Sequence, residues 1–216
     1  MNRAHGGNFV DRRSFASKLM IPALKTASRP ERIELDELTL RRAKHGDRAA
    51  FGVLVRFYQR PVFALLSRML YARGRRDLVE DLAQETFVRA LRAISTFGDD
   101  GRDRLSSWLL TIAARVALDA LKRRALPEEP LDELVDIVPG PRRADEALMQ
   151  HTLRDALLGA IEQLPLGYRA VFLLREVHDM EYEEIAVALE IDLGTVKSRL
   201  SRARAALRKA LSETAP

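Results

Sequence analysis

The chain has 216 residues, with 36 Lys and Arg against 31 Asp and Glu, a formal net charge of +5, and 47% hydrophobic residues. That hydrophobic share excludes a disordered polyelectrolyte and predicts one or two globular domains. The absence of cysteine excludes disulfides, thiolate zinc sites and a cysteine nucleophile, and with 6% aromatics on a background of Leu, Ala and Arg the composition favours helices over sheets.

Residues 1–36 read as a basic leader without stable structure. Arg12-Arg13-Ser14-Phe15 looks like a twin-arginine export signal, but the apolar stretch after it, Leu19 to Leu24, is short, holds Pro22 and runs into Lys25. Export is therefore not expected, and a cytoplasmic location is. Met20 is a second candidate initiator. No run approaches the roughly 18 consecutive apolar residues of a membrane span, so no membrane insertion is expected.

From Leu38 onward apolar residues recur at helical spacing, and the pattern predicts helices over 37–45, 48–71, 77–96 and 104–124. Asp47 and Asp77, each after a glycine-containing break, are expected to act as N-caps. In the third helix Leu78, Leu82, Phe87, Leu91 and Ile94 form the expected buried stripe; in the fourth it is Leu105, Trp108, Leu109, Ile112, Val116 and Leu121. Trp108 lies on that stripe and is assigned to the core.

Residues 127–146 differ in kind, with Pro127, Pro130, Pro139 and Pro141 and seven acids against two bases. They read as a flexible acidic linker with a root-mean-square span of about 25 Å. Beyond it, helices are expected over 144–163, 166–177, 181–189 and 193–211, with Pro165 ending the first. The fold class is all-α: two helical domains, 37–126 and 147–212, on either side of the linker.

The last two helices, joined by Glu190-Ile191-Asp192, have the layout of a helix-turn-helix, whose second helix enters the major groove of DNA. Between Leu193 and Leu211 stand Lys197, Arg199, Arg202, Arg204, Arg208 and Lys209, and no acids. Val196, Leu200, Ala203 and Leu207 form a buried stripe. That leaves Lys197, Ser198, Ser201 and Arg202 on an outward face, where they can reach base edges or phosphates. The bland alternative is a basic helix lying on an acidic protein.

Gly194-Thr195-Val196-Lys197-Ser198-Arg199-Leu200 and Arg202-Ala203-Arg204, preceded by Glu184-Ile185-Ala186, Leu164-Pro165 and Tyr168-Arg169, resemble domain four of the extracytoplasmic-function (ECF) sigma factors of bacterial RNA polymerase. The first domain resembles domain two of the same family through Glu80-Asp81-Leu82-Ala83-Gln84-Glu85-Thr86-Phe87, Gly46-Asp47 with Ala50-Phe51, and Trp108-Leu109 with Ile112-Ala113 and Asp119. The likeness covers about residues 38–212.

It implies a promoter-specificity subunit, without catalysis or cofactor, for stress or envelope responses. Asp81, Gln84, Glu85 and Phe87 would meet the beta-prime coiled coil of core polymerase, with domain four on the beta flap. Arg102, Arg104, Arg115, Lys122 and Arg123 would engage minus-10 DNA. Thr195, Lys197, Ser198, Ser201, Arg202 and Arg204 would engage minus-35 DNA. An anti-sigma factor is the expected regulator.

Three departures from the family pattern matter, one being Ser201, often a larger aromatic or His in relatives, which suggests a lighter contact with a thymine methyl or the backbone. Ala114-Arg115 stands where many members have Arg-Asn, which removes an Asn contact to minus-10 DNA. Glu190 stands where Gly is common and a positive φ is expected, at a cost of about 1 kcal/mol. A simple helix-turn-helix regulator, or a protein-binding sigma mimic, is the competing reading. The dispersed His5, His45, His151 and His178 make no metal site by spacing, and no nucleophile or phosphate-loop motif is present.

Overall fold

The computed structural model describes residues 34–70, 74–98, 104–124 and 148–212. The leader up to residue 33, the segment holding Asp99 to Arg102, and the linker 127–146 lie outside the described residues. Eight α-helices and no strand are found among the described residues, in agreement with the all-α expectation.

The N-terminal bundle comprises α1 (Glu37–Lys44), α2 (Arg48–Leu70), α3 (Val79–Ala93) and α4 (Leu105–Arg124). Asp36 starts α1 by accepting from the Thr39 amide at 2.8 Å, with Glu37 at the positive end and Arg41, Arg42 and Lys44 at the negative end of the helix dipole. Gly46, at φ 86°, turns the chain. Asp47 then caps α2, its Oδ1 accepting from the Ala49 and Ala50 amides at 2.9 and 3.1 Å.

Of the described helices, α2 alone is long and apolar enough to cross a membrane by length and hydropathy. It is instead the central core helix. Leu54, Tyr58, Val62, Leu65, Leu66 and Met69 recur along one side and are buried, while Arg56 and Arg60 stand in solvent. The Tyr58 hydroxyl donates to Glu34 Oε2 (2.6 Å) and accepts from the Leu35 amide (3.2 Å). Burial and the neighbouring carboxylate push its pKa up. Ser106 donates to the other Glu34 oxygen at 2.6 Å, so residues 34–36, assigned to the leader by sequence, are strapped onto the bundle with Leu35 buried.

Three expectations need correction here. Asp77 is not an N-cap: its carboxylate takes Arg75 Nε and Nη2 at 3.1 and 2.9 Å, and α3 starts after the 3-10 turn Arg76–Leu78 without a side-chain cap. The buried stripe of α3 is Val79, Ala83, Thr86, Phe87 and Ala90, continuing to Ile94, whereas Leu91 is 49% exposed. In α4 burial is wider than one stripe, for Leu105, Leu109, Leu110, Ala113, Ala114, Val116 and Ala117 are all inside. Trp108 packs on that core with its ring 5.1 Å from Phe97. The cause is that α4 packs against α2 and α3 on one side and against the second bundle on the other.

The second bundle comprises α5 (Leu148–Gln163), α6 (Leu166–Phe172), a π turn over Leu173–Val177, α7 (Tyr182–Leu189) and α8 (Leu193–Ser212). Arg169, 3% exposed, satisfies the end of α5 by donating to the carbonyls of Ile161 (3.1 Å) and Leu164 (2.7 Å). Buried residues from both bundles join in one continuous hydrophobic core.

Candidate nucleic-acid and polymerase interfaces

The helix-turn-helix is built by three local devices. Glu181 and Glu184 form a capping box at the start of α7, the Glu181 amide donating to Glu184 Oε2 at 2.6 Å. Glu190 ends α7 in the left-handed region (φ 55°, ψ 45°), as the sequence led us to expect. Asp192 then starts α8: Oδ1 accepts from the Thr195 amide (2.7 Å) and Oδ2 from the Thr195 hydroxyl (2.6 Å). Those bonds hold its carboxyl below the ordinary 3.8. A Cβ at position 194 would stand 2.9 Å from Asp192 Oδ1, which explains Gly194 at the first turn.

On α8, Val196, Leu200, Ala203, Leu207 and Ala210 are buried, and Lys197, Ser198, Ser201 and Arg202 are exposed together on the other side. Ser198 bonds back to the Thr195 carbonyl at 3.1 Å, and Arg202 Nη1 reaches the Tyr168 hydroxyl at 3.2 Å. Two of the six residues assigned to minus-35 DNA stand apart from this face. Thr195 spends its hydroxyl on the cap. Arg204 turns inward and pairs with Glu176 of the π turn, its Nε donating at 2.9 Å, with the Glu176 side chain 10% exposed.

On α3, Asp81 and Gln84 are exposed; Glu85 is half-buried and accepts from Arg89 Nε at 2.7 Å, which lowers its pKa. Phe87, placed by sequence on the polymerase contact, is buried in the core at 9% exposure. Leu91, placed by sequence in the core, instead lies two turns beyond Gln84 on the same open side. Its seven-residue spacing from Gln84 was the signal available in the sequence.

Arg104, immediately before α4, and Lys122 and Arg123 near the end of α4 are exposed. Arg115 is engaged by the second bundle: Nη2 donates to the Val187 carbonyl at 2.7 Å and Nε to the Ala188 carbonyl at 3.2 Å, with Glu190 Oε1 at 3.4 Å. Arg102 lies outside the described residues. No cluster of metal-ligating side chains occurs among the described residues.

Comparison with known proteins settles the family. Residues 54–126 match the model for sigma-70 region 2, and residues 154–207 that for sigma-70 region 4. The ECF RNA polymerase sigma factor SigW of Bacillus subtilis is 33% identical over 184 residues, covering 81% of this chain and 95% of SigW. This chain belongs to the ECF sigma factors. The RNA polymerase sigma-H factor of Pseudomonas aeruginosa is 31% identical over 190 residues, 82% of this sigma factor and 94% of that one. Among solved structures, CnrH in complex with the cytosolic domain of CnrY is similar with 26% identity and a TM-score of 0.56, over 83% of this chain and 99% of that one. The sigma factor RpoE in complex with the anti-sigma factor NepR from Bartonella quintana has 25% identity and a TM-score of 0.50, over 73% and 98%. The chain is thus an alternative sigma factor, of a family of non-enzymatic factors that direct RNA polymerase to promoters and initiate transcription.

Proposed function

We propose that this sigma factor divides its work among three surfaces. Helix α8 reads minus-35 DNA as duplex through Lys197, Ser198, Ser201 and Arg202, with Thr195 and Arg204 setting the helix in place. The exposed bases at the two ends of α4, Arg104 just before it and Lys122 and Arg123 within it, joined by Arg115, hold minus-10 DNA as its strands separate, where a single strand offers phosphates to cations. The open side of α3, with Asp81, Gln84, Glu85 and the apolar Leu91, docks core polymerase at the beta-prime coiled coil; the second bundle meets the beta flap. The chain itself catalyses nothing, works in the cytoplasm beside core polymerase, and is held in check by an anti-sigma factor.

One observation carries the reading: α8 presents adjacent exposed Lys, Ser, Ser and Arg on a helix with no acid, directly after a tight left-handed turn. Promoter-dependent transcription with core polymerase tests it. Ser198→Glu leaves the buried stripe intact and sets a negative charge against DNA. Lost transcription with core binding retained is the expected outcome. Full activity on a promoter that depends on its minus-35 element would reject it.

A further inference from the structure

Glu34 gathers two hydroxyls from two different helices. Its Oε2 accepts from the Tyr58 hydroxyl of α2 and its Oε1 from the Ser106 hydroxyl in the first turn of α4, both at 2.6 Å, the length of a hydrogen bond from a hydroxyl to a carboxylate. Glu34 and Ser106 are 72 residues apart, so no helical periodicity produces this bond. The carboxylate is steadied by its own backbone, because the next residue, Leu35, is buried and gives its amide to the same Tyr58 hydroxyl at 3.2 Å.

What this bridge holds is the entry to α4. The Arg104 carbonyl accepts from the Trp108 amide at 2.9 Å, which ties Arg104 to the turn in which Ser106 stands. The Trp108 ring lies 5.1 Å from that of Phe97, and the Phe97 carbonyl takes the ammonium of Lys44, in the last turn of α1, at 2.6 Å. Arg104 is exposed, and its side chain takes no part in these ties. Its place is therefore set through the backbone that Glu34 and Lys44 hold. The stability of this corner comes from Leu35, Tyr58, Phe97 and Leu105, all buried, whereas Glu34 is exposed, where water competes for its bonds and the net gain is small. Small gains can still fix geometry, and a binding group works only when its neighbours hold it within about 0.5 Å of its productive place.

We propose that Glu34 is a positioning residue for minus-10 recognition: by bridging α2 and α4 it sets the place from which Arg104 reaches the separated strand. Glu34 makes no contact with DNA and acts only through Ser106. This role rests on the minus-10 contact proposed for Arg104.

Transcription by the full-length protein with core polymerase, on a pool of promoters randomised across the minus-10 element and with transcripts counted for each sequence, reads this role directly. Glu34→Ala should narrow the spread between the best and the average minus-10 sequence about tenfold, as for a contact displaced by a fraction of an ångström. Core binding, minus-35 duplex binding and thermal stability should stay at the parental values, since the buried residues are kept. Ser106→Ala should give the same narrowing, and the double variant no more than either one, because each removes the same bond. Ser106→Thr, which keeps the hydroxyl, should keep the parental profile. If Glu34→Ala does not fold by circular dichroism, Ser106→Ala against Ser106→Thr decides alone. Equal losses at every minus-10 sequence, with lowered stability, would reveal a part in the fold only and overturn the positioning role. So would additive narrowing in the double variant, or a parental profile in folded Glu34→Ala and Ser106→Ala when Arg104→Ala narrows it. An unchanged profile in Arg104→Ala would instead overturn the minus-10 contact of Arg104, and the positioning role with it.

Discussion

Arg202, Arg204 and Arg208 sit on one helix with the same side chain, and their surroundings give them different work. Arg202 is exposed beside Ser198 and Ser201, so Arg202→Ala should cost about 1 to 3 kcal/mol at the preferred minus-35 sequence and relax discrimination at one or two base pairs. Part of that gain on binding is offset in the free protein by its bond to Tyr168. Arg208, exposed nearer the end of α8, should behave as a phosphate contact: Arg208→Ala weakens binding about equally on all sequences and lowers the salt slope by about one. Arg204→Ala strands the Glu176 carboxylate in a nearly closed site and should destabilise the fold by about 3 kcal/mol, the low end for a broken buried pair, read by urea denaturation. Titrating the three variants against promoter and random duplex in a salt series separates these roles. An Arg204→Ala variant with parental stability would mean that the Glu176 pair contributes nothing.

At the level of the helix, what surrounds a face decides whether it holds the fold or meets a partner. On α3, Asp81→Lys with Gln84→Ala should weaken holoenzyme assembly while leaving thermal stability unchanged, since both are in solvent and the buried stripe is kept. Phe87→Ala should instead unfold the bundle by about 3 to 5 kcal/mol through loss of a buried ring. Assembly that survives the double substitution would move the polymerase contact off this face. The start of α8 depends on a charge. Because the Asp192 carboxyl is held below its ordinary 3.8, its contribution to stability is complete above that value and is lost as pH falls through the lower native one. The stability difference between the parent and Asp192→Asn should therefore be constant near neutral pH and vanish in acid; a difference that persists at a pH where the native carboxyl is fully protonated would show that charge is not what the cap uses. Most of this architecture is legible in sequence, because helical periodicity and punctuation by Gly, Pro and Asp are local signals: the structure finds a helix in each predicted segment, the Asp47 cap, the buried stripe of α8 and the positive φ of Glu190. What sequence misplaced depends on what each residue meets, near or far in the chain. Asp77 was drawn off by Arg75, Leu91 drifted off the stripe, α4 is covered on its second side by another bundle, and Arg204 finds Glu176, 28 residues away. Periodicity assigns a face; it does not say what lies against it.

For the whole molecule, the chain must serve two arrangements. Folded on itself, it packs α4 against α7; on a promoter, the proposed minus-10 and minus-35 surfaces engage separate stretches of one DNA. In the proposed reading residues 127–146 are the tether between them, whose use would be to make binding of the second element intramolecular once the first is bound. A flexible chain of that length reaches about 25 Å on average, and removing about ten residues lowers this to about 17 Å. A tether that cannot span its two sites loses the whole advantage and not a fraction of it. Exchanging the acids of this segment for Gly and Ser, with length kept, should therefore leave transcription largely intact, whereas deleting about ten residues should abolish it at promoters that need both elements. The short variant must first be shown to bind core polymerase and isolated minus-35 duplex as the parent does, so that lost transcription reports the lost span and not a damaged domain. Those measurements together decide it: transcription by the short variant at the parental rate, on a promoter that fails when either element is scrambled, would mean that the two bundles do not act on one DNA through a tether.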